Sequence, residues 1–403
     1  MIENKKRVLA RKNGTGRVGL WEEVLFFLDF LFLFHQGKRK IHGRSILLII
    51  GIVLGGINIA KGQVDTVNRS IPFEGFKDEY RGEQSARIVF YNVENLFDIY
   101  DDPEKNDDEF TPESDRHWDK WKYNTKIVKI GKTLISIGGW EPPAIIGLCE
   151  IENRDVLADL VGSDAMLKAD YEIVHIESRD KRGIDVALLY RKEKFELLYQ
   201  NNIRFPLPEG ERPTRDILHV KGILLGVDTI HFFINHWPSR YGGHLKTEPK
   251  RVQAASILRA VVDSLYATNP NVNIIATGDF NDHAEDKSMR ETLAAKPSID
   301  KLPATNGLLN LMYNKGGVTE GSHKFAGKWG TLDQFVVSTP LVRGESKLAI
   351  DPHDGHFFNA WWLLQKDERN FGYKPFRSFQ GPMYIGGYSD HLPIYLDVIK
   401  GPH

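Results

Sequence analysis

A mixed α/β fold is predicted by three features of the sequence. Short apolar runs rich in Ile, Val and Phe recur from residue 86 to residue 399, as β-strands do. Two segments, 117–138 and 250–267, carry apolar residues at helical spacing. The chain has 403 residues, 41% hydrophobic and 27% charged, which is typical of a folded soluble protein of one large domain or two.

Charge and cysteine content exclude several classes of site. Cys149 is the single cysteine, so neither an internal disulfide nor a cysteine-based zinc cluster can form. Residues 1–62 hold 11 Lys and Arg against 4 Asp and Glu; subtracting these from 53 and 54 leaves 42 and 50, a net charge of about −8 for the rest. Such a body does not coat nucleic acid by bulk charge, so a polyanionic substrate requires locally gathered cations or a metal ion.

The amino-terminal region is predicted to be a leader. Residues 1–62 are basic, and residues 45–62 combine an apolar run with small residues near Gly62, as a cleavable signal peptide does. We therefore expect an exported protein, periplasmic or secreted, cleaved near Gly62. The alternative is a retained membrane anchor, which would be the protein's one contact with a membrane. Residues 63–85 form a polar lead-in to a single domain over 86–403.

The elements of that domain are predicted in order from apolar spacing and turn residues. Lysines of the first helix, at 122, 126, 129 and 132, fall largely on a face that is interpreted as solvated. Asn153 is expected to cap a helix after the second strand. The predicted elements are strand 86–93, helix 117–138, strand 144–148, hairpin 171–176 and 185–190, hairpin 220–226 and 229–235, helix 250–267, strands 274–277 and 331–337, a loop-rich aromatic insertion 340–388, and strand 394–399.

The stretch 273–282 carries the strongest local chemical signal. Asp279 and Asn281 are two residues apart at a strand end and are therefore expected to point the same way. Gly278 permits a turn and a close approach of another group. A carboxylate beside an amide can hold and polarise a water molecule or a phosphoryl oxygen. An ordinary Asx-rich turn is the alternative explanation.

Polar residues follow four further apolar runs, which predicts that they converge on one cleft. Carboxylates at Glu150 and Asp390, with Glu94, suit Mg²⁺ or Mn²⁺. Two histidines, His236 and His391, suit contact with a phosphate. Taken singly, each carboxylate could equally pair with a nearby Lys or Arg, and each histidine could be a satisfied turn residue. The remaining groups are Asn92 after the first strand and Asp333, which could fix the tautomer of one histidine.

The motifs together resemble the endonuclease/exonuclease/phosphatase superfamily. They run in the family's order over about residues 86–400, and further motifs resemble its exported bacterial nuclease-like members. The resemblance implies an α/β four-layer sandwich, in which two mostly antiparallel β-sheets pack face to face and are flanked by helices. The motifs are Asn92-Val-Glu94, Leu148-Cys-Glu150, Asn235-His236-Trp-Pro-Ser-Arg240, Gly278-Asp279-Phe-Asn281, Trp329-Gly-Thr-Leu-Asp333 and Ser389-Asp390-His391-Leu-Pro393.

The resemblance also implies a role for each matching residue. Asp279 would orient and deprotonate the attacking water, and Asn281 would hold the phosphate. His391, oriented by Asp333, and His236 would contact the phosphate, with protonated histidines as donors. The implied metal ligands are Glu150, Asp390, Asn92 and Glu94, where Glu94 departs from the Asp or Asn of many members, and the cofactor is Mg²⁺, with Mn²⁺ or Ca²⁺ as alternatives. The predicted substrate contacts are Arg240, Asn235, Arg179 and Trp329.

Three functions follow from the sequence as hypotheses. The first is an exported metal-dependent nuclease that hydrolyses DNA or RNA phosphodiesters, with no stable protein partner implied. The second is a phosphomonoesterase or a sphingomyelinase-like phospholipid phosphodiesterase on the same fold, which the aromatic residues of 340–388 keep open. The third is a non-catalytic binding domain, because a fold does not determine a function.

Overall fold

The computed structural model describes residue 82 and residues 84–205 and 213–401. The predicted leader and signal segment, and nearly all of the lead-in, lie outside the described residues. Within the described part of the chain, no helix combines the length and apolar character that crossing a bilayer requires.

The described chain contains twenty strands and four α-helices. The helices are α1 (Lys120–Gly138), α2 (Arg154–Val161), α3 (His244–Thr268) and α4 (Thr339–Arg343). The strands are β1 (Ser85–Leu96), β2 (Ile145–Ile151), β3 (Tyr171–His175), β4 (Asp185–Arg191), β5 (Phe195–Ile203), β6 (Ile217–Leu224), β7 (Asp228–His236), β8 (Asn273–Asp279), β9 (Ala295–Lys296), β10 (Leu308–Asn310), β11 (His323–Phe325), β12 (Lys328–Gly330), β13 (Asp333–Ser338), β14 (Leu348–Ala349), β15 (His356–Phe357), β16 (Leu364–Lys366), β17 (Tyr373–Pro375), β18 (Phe379–Gln380), β19 (Met383–Tyr384) and β20 (Ile394–Lys400).

Two seven-stranded sheets hold most of these strands. The first sheet has the order β14-β20-β1-β2-β4-β3, with β15 also paired to β20. The second has the order β5-β6-β7-β8-β13-β10-β9. Pairing is antiparallel except at β1–β2, β7–β8 and β9–β10, so the mostly antiparallel character expected from the resemblance is confirmed.

Three apolar clusters separate four layers. The first lies between the sheets and joins residues such as Phe90 and Leu188 of the first sheet to Phe232 and Ile275 of the second. The second packs α1 and α2 on the outer face of the first sheet, and the third packs α3 on the outer face of the second. Because both faces of each sheet are covered, central strands such as β1 and β8 are apolar along their length. The predicted four-layer sandwich is confirmed.

Local signals account for the ends of the helices on the first sheet. The Asp119 side chain accepts a hydrogen bond from the backbone N–H of Lys122 and caps α1. The Asn153 side chain accepts from the N–H of Val156 at 2.9 Å, so the predicted cap of α2 is confirmed. Helix α3 begins at His244, six residues before the predicted start, and includes Pro249. Its beginning was missed because proline is normally placed at a helix end.

Three parts of the sheet-bearing chain differ from expectation, the first being the short strands β9 to β12, where no strand was predicted. Strand β5 was not predicted, because it is a half-exposed edge strand with no continuous apolar run. The aromatic segment, residues 340–388, contains most of α4 and six short strands rather than loop alone. Several of its rings, including Phe358, Trp362 and Phe379, pack onto the cluster beneath α1.

Strand direction explains why distant polar residues meet. Strands β1 and β2 are parallel, and so are β7 and β8, so the carboxyl ends of each pair lie at one edge of their sheet. Strand β13 is antiparallel to β8 and begins at that edge, with Asp333 opposite Asp279 in register. Strand β20 is antiparallel to β1, so the segment before it reaches the matching edge of the first sheet. The polar strand ends therefore face one another across the sandwich.

Candidate active site

Four of the predicted residues form a continuous chain of side chains. His236 Nε2 lies 3.8 Å from Glu150 Oε1 and 3.8 Å from Asp279 Oδ2. His391 Nε2 lies 3.8 Å from the same Asp279 oxygen. The structure thus brings together carboxylates and imidazoles from β2, β7, β8 and the segment before β20.

Asp279 lies at the centre of this group. Its Oδ1 accepts the backbone N–H of Asn281 at 2.9 Å, and its Oδ2 accepts the amide Nδ2 of Asn92 at 3.1 Å. The second bond joins the two sheets. Burial raises the pKa of Asp279 to about 6, assisted by the charges of Asp333 and Glu150 and opposed by His391. A carboxylate with such a pKa is ionised at neutral pH and can still accept a proton readily.

Asn281 does not lie beside Asp279 in the expected way. The strand ends at Asp279, and Asn281 has a left-handed φ of 52°, so the two-residue alternation no longer applies. Its amide Nδ2 donates to the Trp237 carbonyl at 3.0 Å. Gly278 is required for a related reason: a Cβ there would lie 2.2 Å from the Asn235 carbonyl oxygen of β7.

His391 and Asp333 form the predicted pair, with Nδ1 2.7 Å from Oδ2. Burial opposes a charged imidazole, but the carboxylates of Asp333 and Asp279 outweigh it and raise the pKa of His391 well above its ordinary value. His391 is therefore a protonated donor at neutral pH, with Asp333 accepting from Nδ1 and Nε2 directed toward Asp279.

His236 differs from the expectation that both histidines are protonated. Burial, followed by the positive charge of Arg215, lowers the pKa of His236 well below its ordinary value. Its Nδ1 is buried without a hydrogen-bond partner, whereas Nε2 faces two carboxylates. We assign the neutral tautomer with the proton on Nε2, because that proton has acceptors nearby.

Glu150 is positioned by a strained strand end. Pairing shifts register between Cys149 and Ile151, and Glu150 has a φ of 62°. Its Oε2 accepts the backbone N–H of Asn95 at 2.8 Å, while Oε1 faces His236. A bulge re-aims a side chain, and non-glycine residues with positive φ concentrate at functional sites. Here the bulge turns a strand residue toward the cleft.

Both carboxylate oxygens of Glu94 already have partners, so Glu94 is not a free metal ligand. Its Oε1 is 3.0 Å from Nε and 2.9 Å from Nη2 of Arg377, and its Oε2 accepts the Ser378 N–H at 2.7 Å. Arg377 Nη2 also lies 3.2 Å from Asp390 Oδ2. Burial and then Asp390 raise the pKa of Glu94 to about 7. Two of the four predicted ligands are therefore joined by one guanidinium, and ion pairing, the alternative explanation, applies to both.

In donor type the predicted set suits a hard divalent cation, although Glu94, Glu150 and Asp390 do not all bring ligand atoms within 4.8 Å of one another. The predicted ligands supply only carboxylate and amide oxygens, the type that Mg²⁺ and Mn²⁺ prefer. Burial is the main cause that raises the pKa of Glu94 and of Asp279, and the carboxylates of Asp390 and Glu150 add to it. A divalent cation bound there would offset these negative charges. The residues that would hold it are Glu150, Asn92, Glu94 and Asp390.

Other clusters of acidic residues and histidine are less suited to a metal. His244, Asp282 and Asp286 lie close together, but Arg240 and Arg251 already pair with Asp282.

A second group consists of His175, Glu177 and Asp185, and His175 Nε2 lies 3.3 Å from Asp185 Oδ2. Within the described residues, the third group is Asp279, Asp333 and His391 of the site itself.

The predicted substrate contacts fall in varied places. Asn235 is fully buried and donates to the carbonyls of Phe233 and Thr277, so it supports the strand ends. Arg240 donates to the Asn281 carbonyl at 2.6 Å and pairs with Asp282 and Asp286. It therefore holds the loop after Asp279.

Arg179 and Trp329 lie in different surroundings. The Arg179 guanidinium donates to the Phe205 carbonyl at 3.4 Å. Trp329 lies on the hairpin β11–β12, in which His323 pairs with Gly330. The ring centroid of His323 is 4.7 Å from that of His391. This hairpin therefore packs beside His391, and Trp329 is part of it.

Several residues at the site were missed in the sequence. Lys126 was placed on the solvated face of α1, but it is buried and donates to the Glu94 carbonyl and to Ser378 Oγ, the latter at 2.6 Å. Lys126 is three residues from Tyr123 and four from Ile130, which places it on the apolar face of the helix, so its burial could have been predicted from the sequence. Arg377 and Arg215 stand in no recognised motif, and no sequence signal identified them.

Replacement of Asp333 by Asn tests the pair. The pKa of His391 should fall, because Asp333 is the strongest influence raising it, and the alkaline limb of the kcat/KM pH profile should move to lower pH. The charged His391 also stabilises the folded protein. This contribution to the free energy of unfolding is fully present below the unfolded-state pKa and is lost as pH rises through the raised folded-state pKa.

The matched control is His323→Gln. The His323 ring also contacts His391, but burial lowers the pKa of His323 to about 4, so it carries no charge at neutral pH. Its replacement should leave the alkaline limb in place. An unchanged limb in Asp333→Asn would show that His391 does not control the reaction.

Comparisons with known proteins agree with the motifs. Residues 87–400 match the model of the Endonuclease/Exonuclease/phosphatase family. No curated protein matches the sequence. Three solved structures that this chain resembles are truncated Caenorhabditis elegans TDP2 (16% identity, 78% of this chain, 97% of that chain, TM-score 0.47), an endonuclease/exonuclease/phosphatase from Bacteroides vulgatus (14%, 78%, 99%, 0.47) and the human Nocturnin catalytic domain (14%, 78%, 94%, 0.45).

Proposed function

This chain belongs to the endonuclease/exonuclease/phosphatase family, and from that premise we propose that it is a metal-dependent phosphodiesterase acting on nucleic acid. The family's members are phosphoesterase hydrolases that use divalent metal ions. The observation that carries the proposal is the chain of 3.8 Å contacts linking Glu150, His236, Asp279 and His391. These groups are close enough to act on one phosphorus atom.

The side chains divide the work of hydrolysis. Asp279 accepts a proton from water as the water oxygen attacks phosphorus in line with the leaving oxygen. His391 donates a hydrogen bond to a phosphate oxygen as negative charge develops there, and His236 donates from Nε2 as a neutral imidazole. The P–O bond to the leaving group breaks, and the leaving oxygen takes up a proton from water, which yields a phosphomonoester and a free hydroxyl. A bound divalent cation would supply charge stabilisation at the phosphate.

Two arginines that act on His236 support an anionic phosphoester substrate, of which nucleic acid is the one we propose. Arg215 and Arg182 both lower the pKa of His236, the histidine that would donate to the phosphate. Arg215 is buried and held by Asp180 at 3.3 Å and by the Trp237 carbonyl. Because Asp180 already pairs with Arg215, exposed Arg182 is the local cation that a polyanionic substrate could contact.

A panel of phosphoesters tests the proposal directly. Plasmid DNA, single-stranded DNA, RNA, inositol phosphates and sphingomyelin would be incubated with Mg²⁺, Mn²⁺, Ca²⁺ or a chelator. We expect cleavage of a nucleic acid with Mg²⁺ or Mn²⁺ and none with the chelator. Turnover of inositol phosphates alone would contradict a nuclease, and binding without turnover of any ester would indicate a non-catalytic domain.

A phospholipid phosphodiesterase is the second candidate, and one observation favours it. Phe325 and Phe371 are 76% and 91% exposed, and Lys324 Nζ donates to the Phe371 carbonyl at 3.0 Å, so both rings protrude from neighbouring hairpins. Paired exposed aromatics can insert into a lipid interface. Cleavage of sphingomyelin in liposomes, lost in Phe325→Ser/Phe371→Ser, would establish this function in place of the first.

Export is part of the proposal and depends on residues 1–62 alone. The basic flank and the apolar run before Gly62 support it. Amino-terminal sequencing of the native product should find a start close to residue 63. A product that retains residues 45–62 and sediments with membranes would indicate the anchor instead.

A further inference from the structure

A groove of about 600 Å³ lies between α1 and the aromatic segment. Its floor is one face of α1, because Trp121, Thr125, Val128 and Lys132 are spaced by three or four residues. Trp362 and Tyr388 form the opposite wall. We name it the lysine–tryptophan groove; its volume is within the roughly 300–1,000 Å³ typical of ligand sites.

The charge of this groove has one sign. Two of its nine lining residues are lysines, and none is Asp or Glu. Helix α1 as a whole has five lysines and no acidic residue among its 19 residues. Lys132 is exposed on the floor, and Lys129 Nζ lies 5.2 Å from the centroid of the Tyr388 ring. Since the chain beyond the basic leader is net acidic, this is a local concentration of cations suited to an anionic ligand.

The aromatic residues offer ring faces rather than a sealed core. Trp121 is 65% exposed and meets Tyr384 edge-on, with centroids 5.9 Å apart. Trp362 and Tyr388 are half-buried and contact neighbouring rings edge-on, so part of each ring remains at the groove wall. Rings interleaved with lysines suit unpaired bases and their phosphates, because any base can stack on an aromatic face.

The wall of the groove leads to the active site. Tyr388 lines the groove, and Asp390, one of the predicted metal ligands, is two residues further along the chain. Two residues of chain span at most about 7 Å. Tyr388 therefore connects the groove wall to the segment that carries Asp390 and His391.

The floor of the groove leads in the same direction. Lys126 of α1 lies at the active-site end, where it donates to the carbonyl of Glu94. Lys129 and Lys132 follow at about 4.5 and 9 Å along the helix axis, at a rise of about 1.5 Å per residue. Lys126 is buried and engaged by its acceptors, and Lys129 Nζ donates to the Gly386 carbonyl, so half-buried Lys129 and exposed Lys132 are the cations that line the groove for a phosphate backbone.

We propose that the lysine–tryptophan groove binds a single-stranded stretch of nucleic acid that continues from the phosphate being cleaved. This inference rests on the proposed function, because it extends the same substrate beyond the catalytic residues. A single strand is specified because the bases of a duplex are stacked on one another and cannot stack on Trp121 or Tyr388. A lipid surface is the competing partner, and the test below separates the two.

The test compares two double variants. Trp121→Ala/Lys132→Ala removes one ring and one charge from the groove, and neither residue belongs to the catalytic group. Trp140→Ala/Lys168→Ala removes the same chemistry from exposed positions that do not line the groove. Binding would be measured by fluorescence anisotropy in EDTA with a labelled oligothymidylate about 20 nucleotides long, long enough to span an extended site.

We expect the groove variant to raise the Kd of the oligonucleotide at least about tenfold, as expected for a lost base–aromatic stack. Its dependence on salt should also weaken by about 0.7 in the slope of log K against log salt, since one phosphate contact is lost. With metal present, KM for a long single strand should rise and kcat should not. Cleavage of bis(p-nitrophenyl) phosphate, which is too small to reach the groove, should be unchanged.

Three results would overturn the inference. The first is an equal loss of binding in both double variants, and the second is no loss in the groove variant. The third is binding to phosphatidylserine vesicles, but not to the oligonucleotide, that depends on Trp121 and Lys132. Groove-dependent oligonucleotide binding by a protein that cleaves no nucleic acid would support the groove while contradicting the proposed function. Trp121→Phe/Lys132→Arg should restore binding, which would show that the loss is chemical rather than structural.

Discussion

Asp279→Ala and His236→Ala are each expected to lower kcat on a nucleic acid substrate by at least about two orders of magnitude. Asp279 is the carboxylate that can take the proton from water, and its pKa of about 6 suits that step. His236 is a donor that lies 3.8 Å from both Asp279 and Glu150. Steady-state kinetics with Mg²⁺ on the best substrate of the panel provides the measurement.

His231→Gln is the matched control for this experiment. It removes another buried histidine from β7, which contacts His219 rather than the catalytic group. We expect kcat to remain within about twofold, because no interaction with the transition state is lost. Circular dichroism and urea unfolding would verify that each variant is folded. Turnover close to the wild type in both site variants would remove the basis for the catalytic assignment.

Asp282→Ala is expected to lower the free energy of unfolding by about 3–5 kcal/mol, the usual cost of leaving one member of a buried ion pair unpaired. Asp282 and Arg251 are both fully buried, and Oδ1 lies 2.7 Å from Nε. The two atoms are close, but their geometry is not that of a hydrogen bond, so the contact is an ion pair held by charge. The second carboxylate oxygen accepts from Ser288 Oγ at 2.6 Å.

Asp263→Ala provides the comparison for stability. Asp263 pairs with Arg259 one turn away on α3, but its side chain is 55% exposed. An exposed pair of this spacing contributes about 0.3–0.5 kcal/mol, so its loss should be close to undetectable in urea unfolding. The double variant Asp282→Ala/Arg251→Met should recover part of the loss, because no charge is then left buried. Equal stability of Asp282→Ala and Asp263→Ala would disprove the role assigned to the buried pair.

Much of the fold was predictable because its central strands are covered on both faces. Strands such as β1 and β8 must be apolar along their length, and that continuous pattern is visible without coordinates. Edge strand β5 lacks the pattern because one side of it is exposed to solvent. The short strands of the aromatic segment were missed for a related reason: each is two or three residues long, which is too short for a period to appear.

The site was predictable in membership but only partly in geometry. Asp279, His236, His391 and Glu150 were expected to meet, and they do. The left-handed backbone at Glu150 was not expected, because a bulge leaves no mark in residue type.

Charge partners were the least predictable feature. Arg377 comes from the aromatic segment, 283 positions from Glu94, and pairs with it at 2.9 Å. Nothing near Glu94 in the sequence indicates this contact. The neutral state of His236 likewise depends on burial and on Arg215, which is brought close only by folding.

The sequence by itself determined which chemical groups stand at the ends of the apolar runs, because burial of both sheet faces dictates the run and leaves its end free for polar residues. Tertiary structure alone decided which of those groups touch, since parallel pairing of β1 with β2 and of β7 with β8 brings the ends to one edge. It also decided their charge states, because burial and through-space neighbours, rather than adjacent residues, set the pKa values of Asp279, His236 and His391.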